Sequence, residues 1–155
     1  MNEMIEIERK FLVNQKIWNP KGVGKKLIQG YLSVDEERTV RVRIAGEAAF
    51  LTIKGKSEGI KRTEIEYNIP LNEAEALLKM CLDFPIEKTR YLEKRKELLW
   101  EIDVFEGANK GLIVAEVELE DENQQVDLPE WIEKEVSNDT RYFNSWLSQH
   151  PYSTW

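Results

Sequence analysis

The sequence contains few of the groups on which many enzymes and metal proteins rely. It has one cysteine, Cys81, and one histidine, His150. A single cysteine cannot form an internal disulfide, and one histidine leaves zinc sites and Ser-His-Asp triads without the groups they need. Any chemistry of this chain therefore depends on carboxylates, amines, guanidinium groups and hydroxyls.

Long apolar runs and an excess of positive charge are also missing. No stretch approaches the roughly 20 apolar residues of a membrane span, and no basic segment leads into an apolar run as in a secretory signal. The formal net charge of -7 argues against a general nucleic-acid binder, because such proteins draw affinity from a basic surface. We expect a cytoplasmic monomer or homodimer that binds neither membranes nor nucleic acid.

The chain does show strong alternation of polar and apolar residues. Its length of 155 residues favours one domain over 1–155. The two-residue period is that of β-strands, and the short connections between the alternating segments favour antiparallel pairing. The alternation predicts eight strands, over 4–13, 25–34, 38–45, 48–54, 61–69, 87–95, 98–105 and 112–120.

Helical spacing occurs in two longer segments and one short one. Residues 70–82 place apolar side chains on one face, with Asn72 as a candidate cap, and 137–150 show the same period. A shorter helical turn fits 128–136, where Pro129 would take a first helical position. We expect these helices to cover a sheet.

The charged residues on the strands are sorted by sign. Side chains two apart on a strand point the same way, roughly 7 Å apart, so each charged stripe places like charges side by side. A solvated sheet face explains any one stripe, since opposed stripes gain about 0.2 to 1 kcal/mol per pair. It does not explain the sorting of the whole set. Acidic stripes occur at 6–8, 64–66, 101–103 and 116–120, and basic ones at 41–43 and 88–90.

Such sorting favours a ligand that needs both signs. Paired carboxylates supply the hard oxygen ligands that Mg²⁺ or Mn²⁺ prefers, and clustered Arg and Lys bind phosphate oxygens through charge-assisted hydrogen bonds. A metal-bound polyphosphate satisfies both requirements. If about eight antiparallel strands close into a barrel with the charges inward, the apolar side chains face outward toward the helices. The interior would then be a hydrophilic tunnel.

The ordered motifs resemble those of a known family. "EIERKFLV" at 6–13 is similar to the Glu-x-Glu-x-Lys signature of the CYTH superfamily, the triphosphate tunnel metalloenzymes. The resemblance extends over nearly the whole chain. The other motifs that carry it are "QGYLS" at 29–33, "VRVR" at 40–43, "LTIKG" at 51–55, "RTEIEY" at 62–67, "EKTRY" at 87–91, "EIDVF" at 101–105, "VAEVELE" at 114–120 and "TRYFN" at 140–144.

The resemblance implies a mainly β fold, a closed eight-stranded antiparallel barrel with covering helices and a C-terminal helix. It also implies a divalent metal, Mg²⁺ or Mn²⁺, and a small-molecule substrate that carries a triphosphate. The residues that would face the metal are Glu6, Glu8, Glu64, Glu66, Asp103, Glu116 and Glu118, with Glu101 and Glu120 in the same phase. Those that would hold phosphates are Lys10, Arg41, Arg43, Lys54, Arg62, Lys88, Arg90 and Arg141, the last closing the tunnel from the final helix.

Within this family the chain is most similar to the small bacterial inorganic triphosphatases. It is compact, and Lys10 with Tyr31 resembles their catalytic pair. The resemblance implies hydrolysis of tripolyphosphate to pyrophosphate and phosphate. The fold leaves other activities open, namely nucleoside or thiamine triphosphatase, adenylate cyclase and a non-catalytic polyphosphate-binding module. A solvated barrel that serves as an interaction scaffold is a further alternative.

Overall fold

The structure, a computed structural model, describes residues 4–155, and within that range the chain forms nine β-strands and two α-helices. The strands are β1 (Ile5–Val13), β2 (Lys25–Ser33), β3 (Arg38–Ala45), β4 (Ala48–Gly55), β5 (Lys61–Asn68), β6 (Leu82–Arg95), β7 (Leu98–Phe105), β8 (Ile113–Glu118) and β9 (Ile132–Glu135). The helices are α1 (Leu71–Leu78) and α2 (Asn144–Leu147), with 3₁₀ turns at Gly107–Asn109, Thr140–Tyr142 and Tyr152–Thr154.

Eight of the strands close into an antiparallel barrel. Their order is β5-β4-β3-β2-β6-β7-β8-β1, and β1 closes the ring by pairing with β5 from Ile5 opposite Thr63 to Ile7 opposite Lys61. Beyond this point β5 leaves β1, and β9 takes its place beside Phe11 and Leu12. The predicted closed eight-stranded barrel is confirmed, with one additional strand.

Much of the apolar core lies outside the barrel. Phe11, Trp100 and Trp131 are fully or almost fully buried there, and the Trp100 ring centroid lies 5.6 Å from each of the other two. On another part of the outer wall, Ala74 of α1 packs against Val42. The apolar members of the alternating pattern therefore face outward under loops and helices, and the charged members face inward.

One end of the barrel interior is apolar. Ile86 lies two residues before Lys88 on β6, and Phe105 two residues after Asp103 on β7, so each continues a charged stripe along the same face. Both residues belong to a buried cluster that Leu147 of α2 joins. This apolar floor, completed by Tyr31, Leu112 and Val114, closes one end of the charged interior.

Several local predictions differ from the structure. Helix α1 begins after Pro70, and no side chain caps it, so the cap predicted at Asn72 is wrong. The segment 137–150 divides into a 3₁₀ turn and the short α2. The predicted helical turn at 128–136 is instead β9, because backbone groups there pair with β1. Local spacing could not reveal that partner, which lies more than 100 residues away.

Other strand boundaries shift by a few residues. Strand β6 begins at Leu82, five residues before its predicted start, and passes through Asp83 at a φ of 55°. Strand β8 ends at Glu118, so Glu120 lies beyond it. Within residues 4–155, no helix has the length and apolar character needed to cross a bilayer.

Candidate active site

The barrel interior above the apolar floor encloses a cavity of about 240 Å³. Its lining is dominated by charged side chains from seven of the barrel strands, each on the inward face of its strand. The acidic ones are Glu6, Glu8, Glu64, Glu66, Glu101, Glu116 and Glu118. The basic ones are Lys10, Arg41, Arg43, Lys54, Arg62, Lys88 and Arg90.

Acidic side chains predominate on one side of this cavity and basic side chains on the other. Around the ring the strands run β1, β5, β4, β3, β2, β6, β7 and β8, so β1 faces β2 across the barrel. Strands β8, β1 and β5 form an acidic wall, whose carboxylates are Glu116, Glu118, Glu6, Glu8, Glu64 and Glu66. Strands β3 and β6, on either side of β2, form a basic wall of Arg41, Arg43, Lys88 and Arg90.

On the acidic wall, Glu8 and Glu116 share a hydrogen bond between their carboxyl groups. Burial and the charges of Glu116 and Glu6 raise the pKa of Glu8 well above its usual range. Burial also opposes ionisation of Glu116, but Lys10, which pairs with it across β1 and β8, and the hydrogen bond from Glu8 hold its pKa well below the usual range. The pKa values of the two carboxyl groups therefore shift in opposite directions, that of Glu8 upward and that of Glu116 downward.

A second carboxyl pair lies nearer β5. Glu6 and Glu64 are hydrogen-bonded to each other, and Lys54 Nζ lies 3.1 Å from Glu6 and 3.4 Å from Glu64. Burial, followed by the charge of Glu6, raises the pKa of Glu64 to about 7. Burial opposes ionisation of Glu6 as well, but Lys54 outweighs it and lowers the pKa of Glu6.

The basic wall is held in place by carboxylates behind it. Arg90 forms a bidentate pair with Asp103, with contacts of 2.8 and 2.9 Å, and Lys88 Nζ lies 2.8 Å from the same carboxylate. Both Lys88 and Asp103 are 1% exposed. Asp103 thus lies behind the cavity lining, where it orients two cations whose heads reach the cavity.

The two arginines of β3 lie close to other cations, although Arg41 also lies 3.6 Å from Glu66. Burial, together with the charges of Arg41 and Arg90, lowers the pKa of Arg43 to about 10. Arg41 donates to Thr52 at 3.1 Å, while its buried Nε has no hydrogen-bond partner among the described residues. Buried cations that crowd one another in this way are suited to an anionic ligand.

Lys10 and Tyr31 lie on facing strands and both reach the cavity. Lys10 Nζ donates to the Tyr142 carbonyl at 3.2 Å and lies 5.1 Å from the ring centroid of Phe143. The Tyr31 hydroxyl accepts a hydrogen bond of 3.2 Å from Gln29. The C-terminal segment therefore contacts the motif lysine directly.

The acidic wall has the donor chemistry of a divalent metal site. Six carboxylates share this wall with two cations, Lys10 and Arg62, and hard oxygen donors are what Mg²⁺ and Mn²⁺ prefer. Within residues 4–155, no three acidic, histidine or cysteine side chains converge on one point as they stand. Glu6 instead turns toward Lys54. The donor set fits a divalent ion, and binding would require rotation of these side chains.

The comparisons with known proteins agree with this geometry. The CYTH domain model matches residues 4–145. The chain belongs to the CYTH family. It is 44% identical over 148 residues to an inorganic triphosphatase of Acetivibrio thermocellus, with 95% of each chain covered. It is 38% identical over 151 residues to an inorganic triphosphatase of Nitrosomonas europaea, which covers 94% of this chain and 97% of the relative.

A solved structure of a CYTH relative supports the fold as well. The crystal structure of an inorganic triphosphatase superposes with a TM-score of 0.65 and 36% sequence identity, covering 92% of this chain and 96% of that one. The resemblance inferred from the motifs is therefore confirmed. The CYTH fold accounts for the closed barrel with inward-facing charges.

Most of the residues expected from the motifs line the CYTH cavity, and three do not. Asp103 lies behind the basic wall, as described above. Glu120 is exposed beyond the end of β8, because the strand stops two residues earlier. Arg141 lies outside the cavity lining, half-exposed, where it forms an ion pair of 2.7 Å with Asp139 and contacts the ring of Trp155. The expectation that Arg141 looks into the tunnel does not hold here.

The sequence interpretation missed several polar residues that lie in or beside the CYTH site. Gln29 lies in phase with Tyr31 on β2, and Thr52 in phase with Lys54 on β4, so their spacing could have indicated the inward face. Asn144 and Ser137 line the cavity from the C-terminal region, where no strand period exists to place them. None of the five tryptophans is among the lining residues, so among the described residues the cavity presents no tryptophan ring on which a nucleotide base could stack.

Proposed function

We propose that this chain hydrolyses inorganic tripolyphosphate to pyrophosphate and phosphate within the CYTH cavity, with Mg²⁺ or Mn²⁺ as cofactor. One observation carries the proposal: an acidic wall and a basic wall face each other across a single enclosed cavity. A chain of phosphates with a bound cation presents the complementary charges. The two inorganic triphosphatases that match nearly the whole chain support this choice of substrate.

The basic wall binds the phosphates in this proposal. Arg41 and Arg43 donate to phosphate oxygens from one side of β2, and Lys88 and Arg90 donate from the other. Because Asp103 and the protein amides already orient these cations, little reorganisation is needed when substrate binds. Lys54 and Arg62 extend the set of phosphate donors along the cavity. The negative charge that accumulates during phosphoryl transfer is thereby neutralised.

The acidic wall serves the metal and the water. When bound, a divalent ion supplies positive charge at the phosphate oxygens. A carboxylate of the wall orients a water for in-line attack on a terminal phosphorus and receives its proton. The new bond joins water oxygen to phosphorus, and the bond to the bridging oxygen breaks. Pyrophosphate leaves.

Lys10 and Tyr31 act on the phosphoryl group that is transferred. Lys10 belongs to the acidic wall but carries a positive charge, so it is suited to contact the phosphate nearest the attacking water. Tyr31, on the facing strand, offers a hydroxyl to the same phosphate chain. Together they would hold the attacked group in line with the water.

The test compares phosphate release from tripolyphosphate, ATP and thiamine triphosphate under identical conditions. We expect rapid release from tripolyphosphate with Mg²⁺ or Mn²⁺, slower release from the two organic triphosphates, and none after chelation. Lys10→Ala should abolish turnover while metal-free tripolyphosphate still binds. A wild-type protein that binds tripolyphosphate but never releases phosphate is a binding module, and the proposal then fails.

A further inference from the structure

Beside the cavity, on β2, lies a buried side-chain amide whose contact with Tyr31 the proposed function leaves unused. Gln29 lies on β2, is 0% exposed, and makes three hydrogen bonds through its side chain. Its Nε2 donates to the Tyr31 hydroxyl at 3.2 Å and to Asn144 Oδ1 at 3.1 Å. Its Oε1 accepts from Arg43 Nε at 2.9 Å. Gln29 thus connects a basic-wall arginine, the candidate catalytic tyrosine and the C-terminal helix.

The direction of each of these hydrogen bonds follows from Arg43. A guanidinium group has only donors, so the amide atom that faces Arg43 must be the oxygen of Gln29. The amide nitrogen must then face Tyr31 and Asn144. Asn144 presents its oxygen in return, and the same oxygen accepts from Lys88 Nζ at 2.8 Å. The donor-only cations at the two ends of this network leave one arrangement of its amides.

This arrangement decides what the Tyr31 hydroxyl can do. Its oxygen accepts from Gln29, and its single proton cannot point back at the donating Gln29 N–H. Among the described residues the hydroxyl has no hydrogen-bond acceptor, although Tyr31 is only 4% exposed and lines the cavity. The proton is therefore available to an acceptor inside the cavity.

We propose that Gln29 is a positioning residue that commits the Tyr31 hydroxyl to donate a hydrogen bond into the cavity, toward a substrate phosphate oxygen. The proposal rests on the proposed function in its choice of a phosphate as acceptor. Tyr31 then acts as a donor to the substrate rather than as a base. Gln29 acts through Tyr31, since its own amide is fully engaged by protein groups.

The experiment is a double-mutant cycle between Gln29→Glu and Tyr31→Phe. A carboxylate at position 29 still accepts from Arg43 but cannot donate, so the Tyr31 hydroxyl would turn and donate to it. We expect Gln29→Glu to weaken tripolyphosphate binding and to lower kcat with Mg²⁺. The loss of affinity and of kcat caused by Gln29→Glu should be about tenfold smaller when residue 31 is already Phe. A factor of this size corresponds to one hydrogen bond to a charged group.

A matched cycle with Asn144→Asp separates this effect from added charge. Aspartate at 144 introduces a negative charge at the same network, yet its oxygen still accepts from Gln29 and Lys88. Because Gln29 keeps its orientation, Asn144→Asp should change the affinity and kcat by the same factor with and without the Tyr31 hydroxyl. Additivity in this cycle, with non-additivity in the first, is the expected pattern.

Two readouts keep the outcomes distinct. The metal-free affinity for tripolyphosphate is measured by calorimetry, and kcat and KM are measured separately with Mg²⁺. If wild type binds but does not hydrolyse, the proposed function fails, and the affinity cycle still decides the role of Gln29. If Gln29→Glu does not fold, Gln29→Met takes its place, because it removes the donor without adding charge. The loss of affinity caused by Gln29→Met should also be smaller in the Tyr31→Phe background. Additive losses in the Gln29 cycle, or no binding by wild type, would overturn the inference.

Discussion

Lys88 and Asp103 form an ion pair of 2.8 Å in which both side chains are 1% exposed. The same carboxylate accepts two hydrogen bonds from Arg90. Burial opposes ionisation of Asp103, but the charges of Lys88 and Arg90 outweigh it and lower its pKa to about 2. One buried anion therefore supports half of the basic wall.

Asp103→Asn is expected to destabilise the protein strongly. The substitution keeps the shape of the side chain but leaves two buried cations without their shared anion. Removing one partner of a buried ion pair costs about 3 to 5 kcal/mol in the free energy of unfolding. Chemical denaturation measures this loss. The matched control is Glu101→Gln, which also removes a partner of Arg90, and it should cost less than about 1 kcal/mol because the carboxylate is partly exposed.

Lys10→Met is expected to lower kcat for tripolyphosphate by about 100-fold or more, since a positioned charge at the reacting group is lost. Steady-state kinetics with Mg²⁺ measure this effect. Arg9→Met is the control, because Arg9 is adjacent on β1 but faces outward and pairs with Glu135. It should leave kcat within about twofold and cost about 1 kcal/mol of stability at most. Equal losses of kcat in the two variants would contradict a role for Lys10 in the cavity.

Arg41→Met is expected to separate binding from stability. The substitution removes a buried cation that donates to Thr52 and lies 3.6 Å from Glu66, but whose Nε lacks a hydrogen-bond partner among the described residues. The free energy of unfolding should stay unchanged or rise by about 1 kcal/mol. The affinity for tripolyphosphate should fall about tenfold, the cost of one hydrogen bond to a charged group. Thermal unfolding without tripolyphosphate tests the predicted stability. Thermal unfolding with tripolyphosphate tests the predicted affinity, because the ligand should stabilise the variant less than wild type.

Metal affinity should increase with pH across neutrality. Glu64, with a pKa of about 7, and Glu8, with a pKa raised well above its usual range, hold protons that a metal ion must displace. Titrations with Mg²⁺ at about pH 6 and about pH 8 should show tighter binding at the higher pH. Glu64→Gln should weaken binding and flatten this dependence, whereas Glu133→Gln on the exposed β9 should change neither. A wild-type affinity independent of pH would contradict the prediction.

The raised pKa of Glu64 also has a consequence for stability. Its folded-state pKa of about 7 lies above the ordinary carboxyl value of 4.5, so the folded protein holds a proton that the unfolded chain releases. The stability contributed by this group is present below about pH 4.5 and is lost as the pH rises through about 7. Metal-free protein should therefore unfold at a lower temperature at about pH 8 than at about pH 5, and Glu64→Gln should reduce the difference.

The alternation of the sequence predicted the strands and the charges that share a face, and the resemblance of the motifs to the CYTH family implied the closed barrel. Glu6, Glu8 and Lys10 had to share a face, because side chains two apart on a strand always do. The same period placed Lys88 beside Arg90 and Glu64 beside Glu66. Strand β9 could not be predicted in this way, because its four residues, which follow shortly after Pro129, fit a helical turn as well as they fit a strand. Its pairing with β1 decided the matter.

The sequence by itself determined which side chains share one face of each strand, since the two-residue period is a property of the local backbone. Only the tertiary structure decided how deep each one lies and which groups surround it. Asp103 has the same phase as Glu101, yet it lies behind the lining because Lys88 and Arg90 close over it. Arg141 pairs with Asp139 outside the cavity, and Gln29 acquires its three partners from β2, β3 and α2. The contacts of Gln29 with Arg43 and Asn144 join residues distant in the chain, and no local pattern encodes them.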